Sequence, residues 1–215
     1  MKAVIFDMDG VIIDSEPLHF ELEVELLEEL GGKITKEEHK SFVGTTDYHM
    51  WNTFKDKFNL KPSVEEMVEM KKKRFLENID KVQLIDNFKE FMLALYDEGY
   101  PMALASSNNK KAVDAIVKKF SLDKYLKFFI SGEEVNKGKP NPEIFLTVAE
   151  KMKVEPSYCL VIEDAKNGVK AAKGAGMKCI GLQSPNSGNQ DLSEADLIVN
   201  NFKELDLNLI KNLFK

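Results

Sequence analysis

Six short, uniformly apolar runs limit the folds open to this chain more than any other feature. They lie at residues 3–6, 102–105, 128–130, 159–162, 179–182 and 197–199. Each is too short for a helix, and none alternates polar with apolar as a strand with one wet face does. Strands of a parallel sheet covered by helices on both faces have this pattern. Helical patterns lie between the runs, at 110–120, 142–151 and 165–173. Such alternation predicts βαβ units and an open, doubly wound parallel sheet.

Residues 15–82 break the alternation and contain no buried strand. Residues 17–30 read as an amphipathic helix. Leu18, Leu22 and Leu26 recur every four residues, with Leu27 and Leu30 on the adjoining stripe. Pro17 suits the first turn of that helix and Gly31 its end. Thr35-x-x-Glu38 and Ser63-x-x-Glu66 are capping-box patterns that start two further helices. Trp51, Phe54 and Phe58 are spaced as one helix face that packs inward, and the basic run 71–74 reads as a solvated helix face. The expected architecture is a Rossmann-like α/β core formed by residues 1–14 and 83–215, interrupted by an all-helical cap domain, residues 15–82.

Composition narrows the functions. The 215 residues carry a net charge of −6, with no global basic field to hold nucleic acid or an anionic membrane. No apolar run approaches the ~18 residues of a membrane-spanning helix. The first apolar run is too short for a secretory leader and ends in acid, so a cytoplasmic location is expected. Cys159 and Cys179 sit in apolar runs with no metal-binding spacing, as buried reduced thiols do. A monomer or a weak dimer is expected.

In an open α/β sheet, ligands bind beyond the carboxyl ends of the strands. Asp7 and Asp9 follow the first run. Ser106, Ser107 and Asn108 follow the second, Lys139 lies in a Lys-Gly-Lys-Pro loop after the third, and Glu163 and Asp164 follow the fourth. Taken singly, each has an ordinary reading as a turn, a helix cap or a solvated loop lysine. Together they place four acids, a set of hydroxyl and amide side chains and one lysine at one sheet edge. Clustered carboxylates repel one another unless a cation lies among them, and an all-oxygen site suits Mg²⁺. Ser106, Lys139 and the N–H groups of the following helix could hold phosphate oxygens. The chemistry these groups suit is phosphoryl transfer. Neither Gly-x-x-x-x-Gly-Lys-Ser/Thr nor Gly-x-Gly-x-x-Gly occurs, so a nucleotide is not the first expectation.

Asp7-Met8-Asp9-Gly10-Val11, the Ser106 strand end, Lys139-Pro140 and Glu163-Asp164 resemble, in order and spacing, the four motifs of the haloacid dehalogenase superfamily. The helical insertion is similar to the cap of its subclass I, and the whole chain most resembles the β-phosphoglucomutase-like phosphatases. The resemblance implies an enzyme that hydrolyses a small phosphorylated metabolite of the sugar- or polyol-phosphate kind. It implies Asp7 as nucleophile, Asp9 as general acid and then base, and Ser106, Ser107, Asn108 and Lys139 around the phosphate. Mg²⁺ would be held by Asp7, the Asp9 carbonyl and Asp164, with Glu163 either a ligand or a group behind the ligands. Asp9 argues for phosphate over halide, because dehalogenating relatives typically lack the second aspartate. In the cap, His19 and the loop Gly44-Thr45-Thr46 match substrate-facing positions. Sugar-phosphate mutases of the family carry an arginine three residues after that glycine, where this chain has Asp47. A mutase, or a silent phosphate-ester-binding protein on the same fold, are the alternatives.

Overall fold

The computed structural model describes residues 2–42, 45–184 and 186–214. The chain divides into two compact units, one of Met1–Asp14 with Gln83–Lys215 and one of Ser15–Val82. In the first unit, strands β1 (Ala3–Phe6), β4 (Met102–Ala105), β5 (Phe128–Ile130), β6 (Cys159–Glu163), β7 (Lys178–Leu182) and β8 (Leu197–Val199) form one sheet. A separate short pair is formed by β2 (Ile13–Asp14) and β3 (Gln83–Leu84). The main sheet runs β5-β4-β1-β6-β7-β8, and every neighbouring pair is parallel. The six strands are those the apolar runs predict. Order along the sheet reverses beside β1, so the crevice at the carboxyl end of β1 and β6 is the topological switch point where such sheets take ligands.

Within the Ser15–Val82 unit lie α1 (Glu16–Glu29), α2 (Lys36–Lys40), α3 (Asp47–Phe58) and α4 (Val64–Glu77). Both predicted capping boxes form. Thr35 Oγ1 accepts from Glu38 N at 3.2 Å while Glu38 Oε2 takes the Thr35 N–H. Ser63 and Glu66 do the same at 3.1 and 2.7 Å. The core of this unit gathers Leu26, Leu27, Met50, Trp51, Phe54 and Met67. Each fully buried large side chain of this kind contributes on the order of 1.5–3 kcal/mol by leaving water.

The basic run 71–74 does not lie wholly on a solvated face, because Lys71 is only 6% exposed. Its ammonium is ion-paired with Glu23 and Asp47. Its i,i+4 partner on the helix is Phe75, also buried, so Lys71 falls on the inward stripe.

In the first unit, α5 (Phe88–Asp97), α6 (Lys110–Phe120), α7 (Glu143–Met152), α8 (Lys166–Gly174) and α9 (Leu207–Asn212) follow in chain order. Ile144, Phe145, Val148, Val169 and Ala172 of α7 and α8 join a cluster with Ala3, Ile5, Ala103 and Val161 of the sheet. Alternate residues of β1 point the other way, where Phe6 meets Phe88 edge-on at 5.3 Å and Phe88 meets Phe202 at 5.6 Å. The sheet is thus covered on both faces, which is why its strands carry no polar alternation. Cys159 and Cys179 are buried and free. No helix of the described residues is long and apolar enough to cross a membrane. Neither α5 nor α9 is among the helices expected above. For α5 the signal is present, with Phe88, Phe91, Met92 and Leu95 at helical spacing.

Candidate active site

β1 delivers Asp7 to the switch point. Phe6 pairs in register with Leu104 on one side and Ile162 on the other, and the Asp7 N–H continues the ladder to Ile162 O at 3.0 Å. The ends of β4 and β6 therefore flank Asp7. β6 ends in Glu163 with Asp164 just beyond it, and just beyond β4 comes Ser106. Lys139 reaches in from the loop between β5 and α7. Its Nζ donates to Asp7 Oδ1, to Glu163 Oε1 at 2.8 Å and to Ala105 O at 3.1 Å. The three donor positions of one ammonium thus have three acceptors.

Glu163 is fully engaged. Oε1 takes Lys139, and Oε2 accepts from the Ala165 N–H at 2.9 Å. Its carboxylate lies against Gly168, where a Cβ would come within 1.6 Å of Oε1. Any side chain at 168 would displace the group that holds Lys139.

Asp9 is held separately. Asn108 Nδ2 donates to Asp9 Oδ2 at 2.5 Å, and the Asn108 N–H donates to Ser106 Oγ at 3.1 Å. Asn108 thus spans Ser106 and Asp9. Ser106 is buried while Ser107 is exposed. Asn109 caps α6 by accepting from Ala112 N. Between Asp9 and the turn to β2 stands Gly10, with φ of 72°, the left-handed region that favours glycine. A Cβ at Gly10 would lie 1.9 Å from Asp164 Oδ2, so bare backbone is needed there on two counts.

Oxygens of Asp7, Glu163 and Asp164 lie within 4.8 Å of one another, and all three residues are buried. Burial outweighs the Lys139 charge and, with Glu163 and Asp9 adding to it, pushes the Asp7 carboxyl up to about 8. Burial, reinforced by Glu163 and Asp7, likewise holds Asp164 well above the usual carboxylate range. Burial opposes the Lys139 charge too, but Asp7 and Glu163 outweigh it and raise its pKa above that of an ordinary lysine. The cluster is short of positive charge. Its donors are hard oxygens, and the set fits a small divalent cation.

The structure brings Asp7, Lys139 and Glu163 into direct contact, sets an Asp164 oxygen within 4.8 Å of those of Asp7 and Glu163, and places Asp9, Ser106 and Asn108 at the adjoining edge. Ser187 was not anticipated from sequence. It follows β7, and its Oγ donates to Asp164 Oδ2. Its place beyond a strand's carboxyl end was the available signal, masked by a Ser-Pro-Asn-Ser-Gly turn composition.

His19, Thr45 and Thr46 belong to the Ser15–Val82 unit, and Gly44 lies outside the described residues. The His19 ring stacks on Phe75 with centroids 4.7 Å apart. Thr46 caps α3 by accepting from His49 N at 3.2 Å, and Thr45 Oγ1 donates to Phe42 O at 2.7 Å.

Residues 4–182 match the haloacid dehalogenase-like hydrolase family. The chain belongs to that family. It is 32% identical over 217 residues to a phosphorylated carbohydrates phosphatase of Thermotoga maritima, covering 99% of this chain and 100% of the relative. It is 28% identical to the β-phosphoglucomutase of Bacillus subtilis, covering 98% and 94% of the two chains. Among solved structures, a family IA haloacid dehalogenase hydrolase of Entamoeba histolytica superposes with a TM-score of 0.86 at 25% identity. That match covers 100% of this chain and 99% of the other.

Proposed function

We propose that this phosphatase hydrolyses small phosphorylated carbohydrates, sugar- or polyol-phosphate monoesters, through a phosphoryl group carried on Asp7. One observation carries the reading. Two carboxylates at the end of the central strand are held by different partners, Asp7 by Lys139 and Asp9 by Asn108. They are therefore set up for different tasks. The name of the Thermotoga maritima relative supports the substrate class.

Asp7 attacks phosphorus and the ester oxygen leaves. Asp9 gives its proton to that oxygen, so that an alcohol departs and an aspartyl-phosphate remains. Asp9, now ionised, takes a proton from water. The water oxygen attacks phosphorus, inorganic phosphate departs and the Asp7 carboxylate is restored. Lys139 keeps Asp7 oriented and offsets the phosphate charge, and the Ser106 hydroxyl donates to a phosphoryl oxygen. Glu163, with both oxygens engaged, acts by holding Lys139.

Asp7, Asp164 and the Asp9 carbonyl would hold Mg²⁺. When bound, the ion supplies charge neutralisation for the phosphoryl oxygens, as hard divalent cations do. The test is a panel of sugar, polyol and nucleotide monophosphates assayed for released phosphate with Mg²⁺ and with EDTA. Release from sugar or polyol phosphates that stops on chelation is expected. Binding of such esters without any release would replace this reading with that of a silent binding protein.

A further inference from the structure

The segment after β7 has two side chains committed to opposite ends of one short path. Ser187 is 5% exposed, and its hydroxyl donates to Asp164 Oδ2. Asn186 donates from Nδ2 to Asp14 Oδ2 at 2.8 Å. Asp14 ends β2, whose partner β3 brings the chain back into the first unit. Beside Ser187, against the same oxygen, is Gly10, where a Cβ would stand 1.9 Å from Asp164 Oδ2 and 2.7 Å from Ser187 Oγ. Asp164 Oδ2 thus meets bare backbone and one hydroxyl side by side. No step of the proposed chemistry uses Ser187.

We infer that Ser187 is a positioning residue for the cation site. Its hydroxyl, a charge-assisted donor, fixes the rotation of the Asp164 carboxylate. The other oxygen then stays turned to the cluster it shares with Asp7. Partners behind a ligand typically change metal affinity by about 10–100-fold. The inference rests on Asp164 as a cation ligand. If Ser187 instead only satisfied a buried carboxylate, its loss would lower stability and leave affinity for the ion alone.

The test titrates the full chain with Mn²⁺ in the absence of substrate, read by electron paramagnetic resonance. Ser187→Ala is expected to weaken Mn²⁺ binding by about 10–100-fold. Ser187→Thr, which keeps the hydroxyl, should recover most of that loss. Ser187→Cys, nearly isosteric but a weak donor, should fall between them and serves if the alanine variant folds poorly. Asn186→Ala, which leaves the bond to Asp164 in place, should bind as the wild type does. In the same series, the apparent activation constant for Mg²⁺ should rise in Ser187→Ala while the KM for the phosphate ester stays put. Wild-type Mn²⁺ affinity in Ser187→Ala, alongside loss of binding in Asp164→Asn, would overturn the inference alone. If the wild type bound no divalent cation, or Asp164→Asn bound as well as wild type, the cation reading of the site would fail and this inference with it.

Discussion

Lys71 Nζ lies 2.9 Å from Asp47 Oδ1 and 3.0 Å from Glu23 Oε1, inside the helical unit. Glu23 also meets His39 Nε2 at 2.5 Å. Each of α1, α2, α3 and α4 thus contributes one member to a single network. Burial works against the Lys71 charge, yet Glu23 and Asp47 outweigh it and raise its pKa above the ordinary lysine value.

Removing one partner from such a network strands the others. Lys71→Met should destabilise the protein by about 3–5 kcal/mol, because buried Glu23 loses its counter-charge. Trp51, the one tryptophan and fully buried in the same unit, reports the transition by fluorescence during urea unfolding. A loss below about 1 kcal/mol, the range of exposed pairs, would show that the pair behaves as a surface contact.

The same network sets a pH dependence. Burial raises the Glu23 pKa, but the hydrogen bond to His39 and the Lys71 charge outweigh it and hold the carboxyl below its usual value. A depressed carboxyl adds stability above its unfolded pKa, and that contribution is lost as pH falls through the folded value. Glu23→Gln should therefore cost more at pH 7 than in the acid range below the ordinary glutamate pKa. Urea unfolding at both pH values checks this. An equal cost at each would contradict it.

Asp47 stands where the family resemblance places a mutase arginine, and Lys71, which pairs with Asp47, is shared with Glu23. A mutase must grip the phosphate that is not reacting, and arginine does so bidentately. We therefore expect net phosphate release from β-glucose 1-phosphate without a bisphosphate activator, and negligible conversion to glucose 6-phosphate. NMR that follows both products, with and without glucose 1,6-bisphosphate, decides it. Isomerisation outrunning release would overturn the phosphatase reading.

Asp9→Asn should discriminate between leaving groups. General acid help is worth on the order of 10²–10⁴-fold when an alkoxide departs, and little when a nitrophenolate does. In the pre-steady-state burst, the variant should lose far more rate on a polyol phosphate than on p-nitrophenyl phosphate. Equal losses would remove Asp9 from the acid role.

Much of this molecule is legible in its sequence because burial on both faces writes strands as unbroken apolar runs. Met102–Ala105 and Phe128–Ile130 can be bounded to the residue for that reason. Capping boxes at Thr35 and Ser63 are equally readable, because the motif lies within four residues. What depends on distant chain segments is not. Ile13 and Leu84 pair over a strand too short to leave a pattern. Lys71 looks solvated beside its basic neighbours until Glu23 and Asp47 are folded against it. Gly168 reads as an unfavourable helix residue, whereas the Glu163 carboxylate occupies the space its side chain would need.

The central claim is that Asp7 carries the phosphoryl group. It is tested most directly in the Asp9→Asn variant, where the base for hydrolysis is gone and the intermediate should accumulate. After mixing with p-nitrophenyl phosphate and Mg²⁺ and quenching in acid, mass spectrometry should find one added phosphoryl group, mapped to Asp7. It should be absent when Asp7→Asn is introduced as well. A phosphoryl group on any other residue, or near-normal turnover by Asp7→Asn alone, would contradict the account.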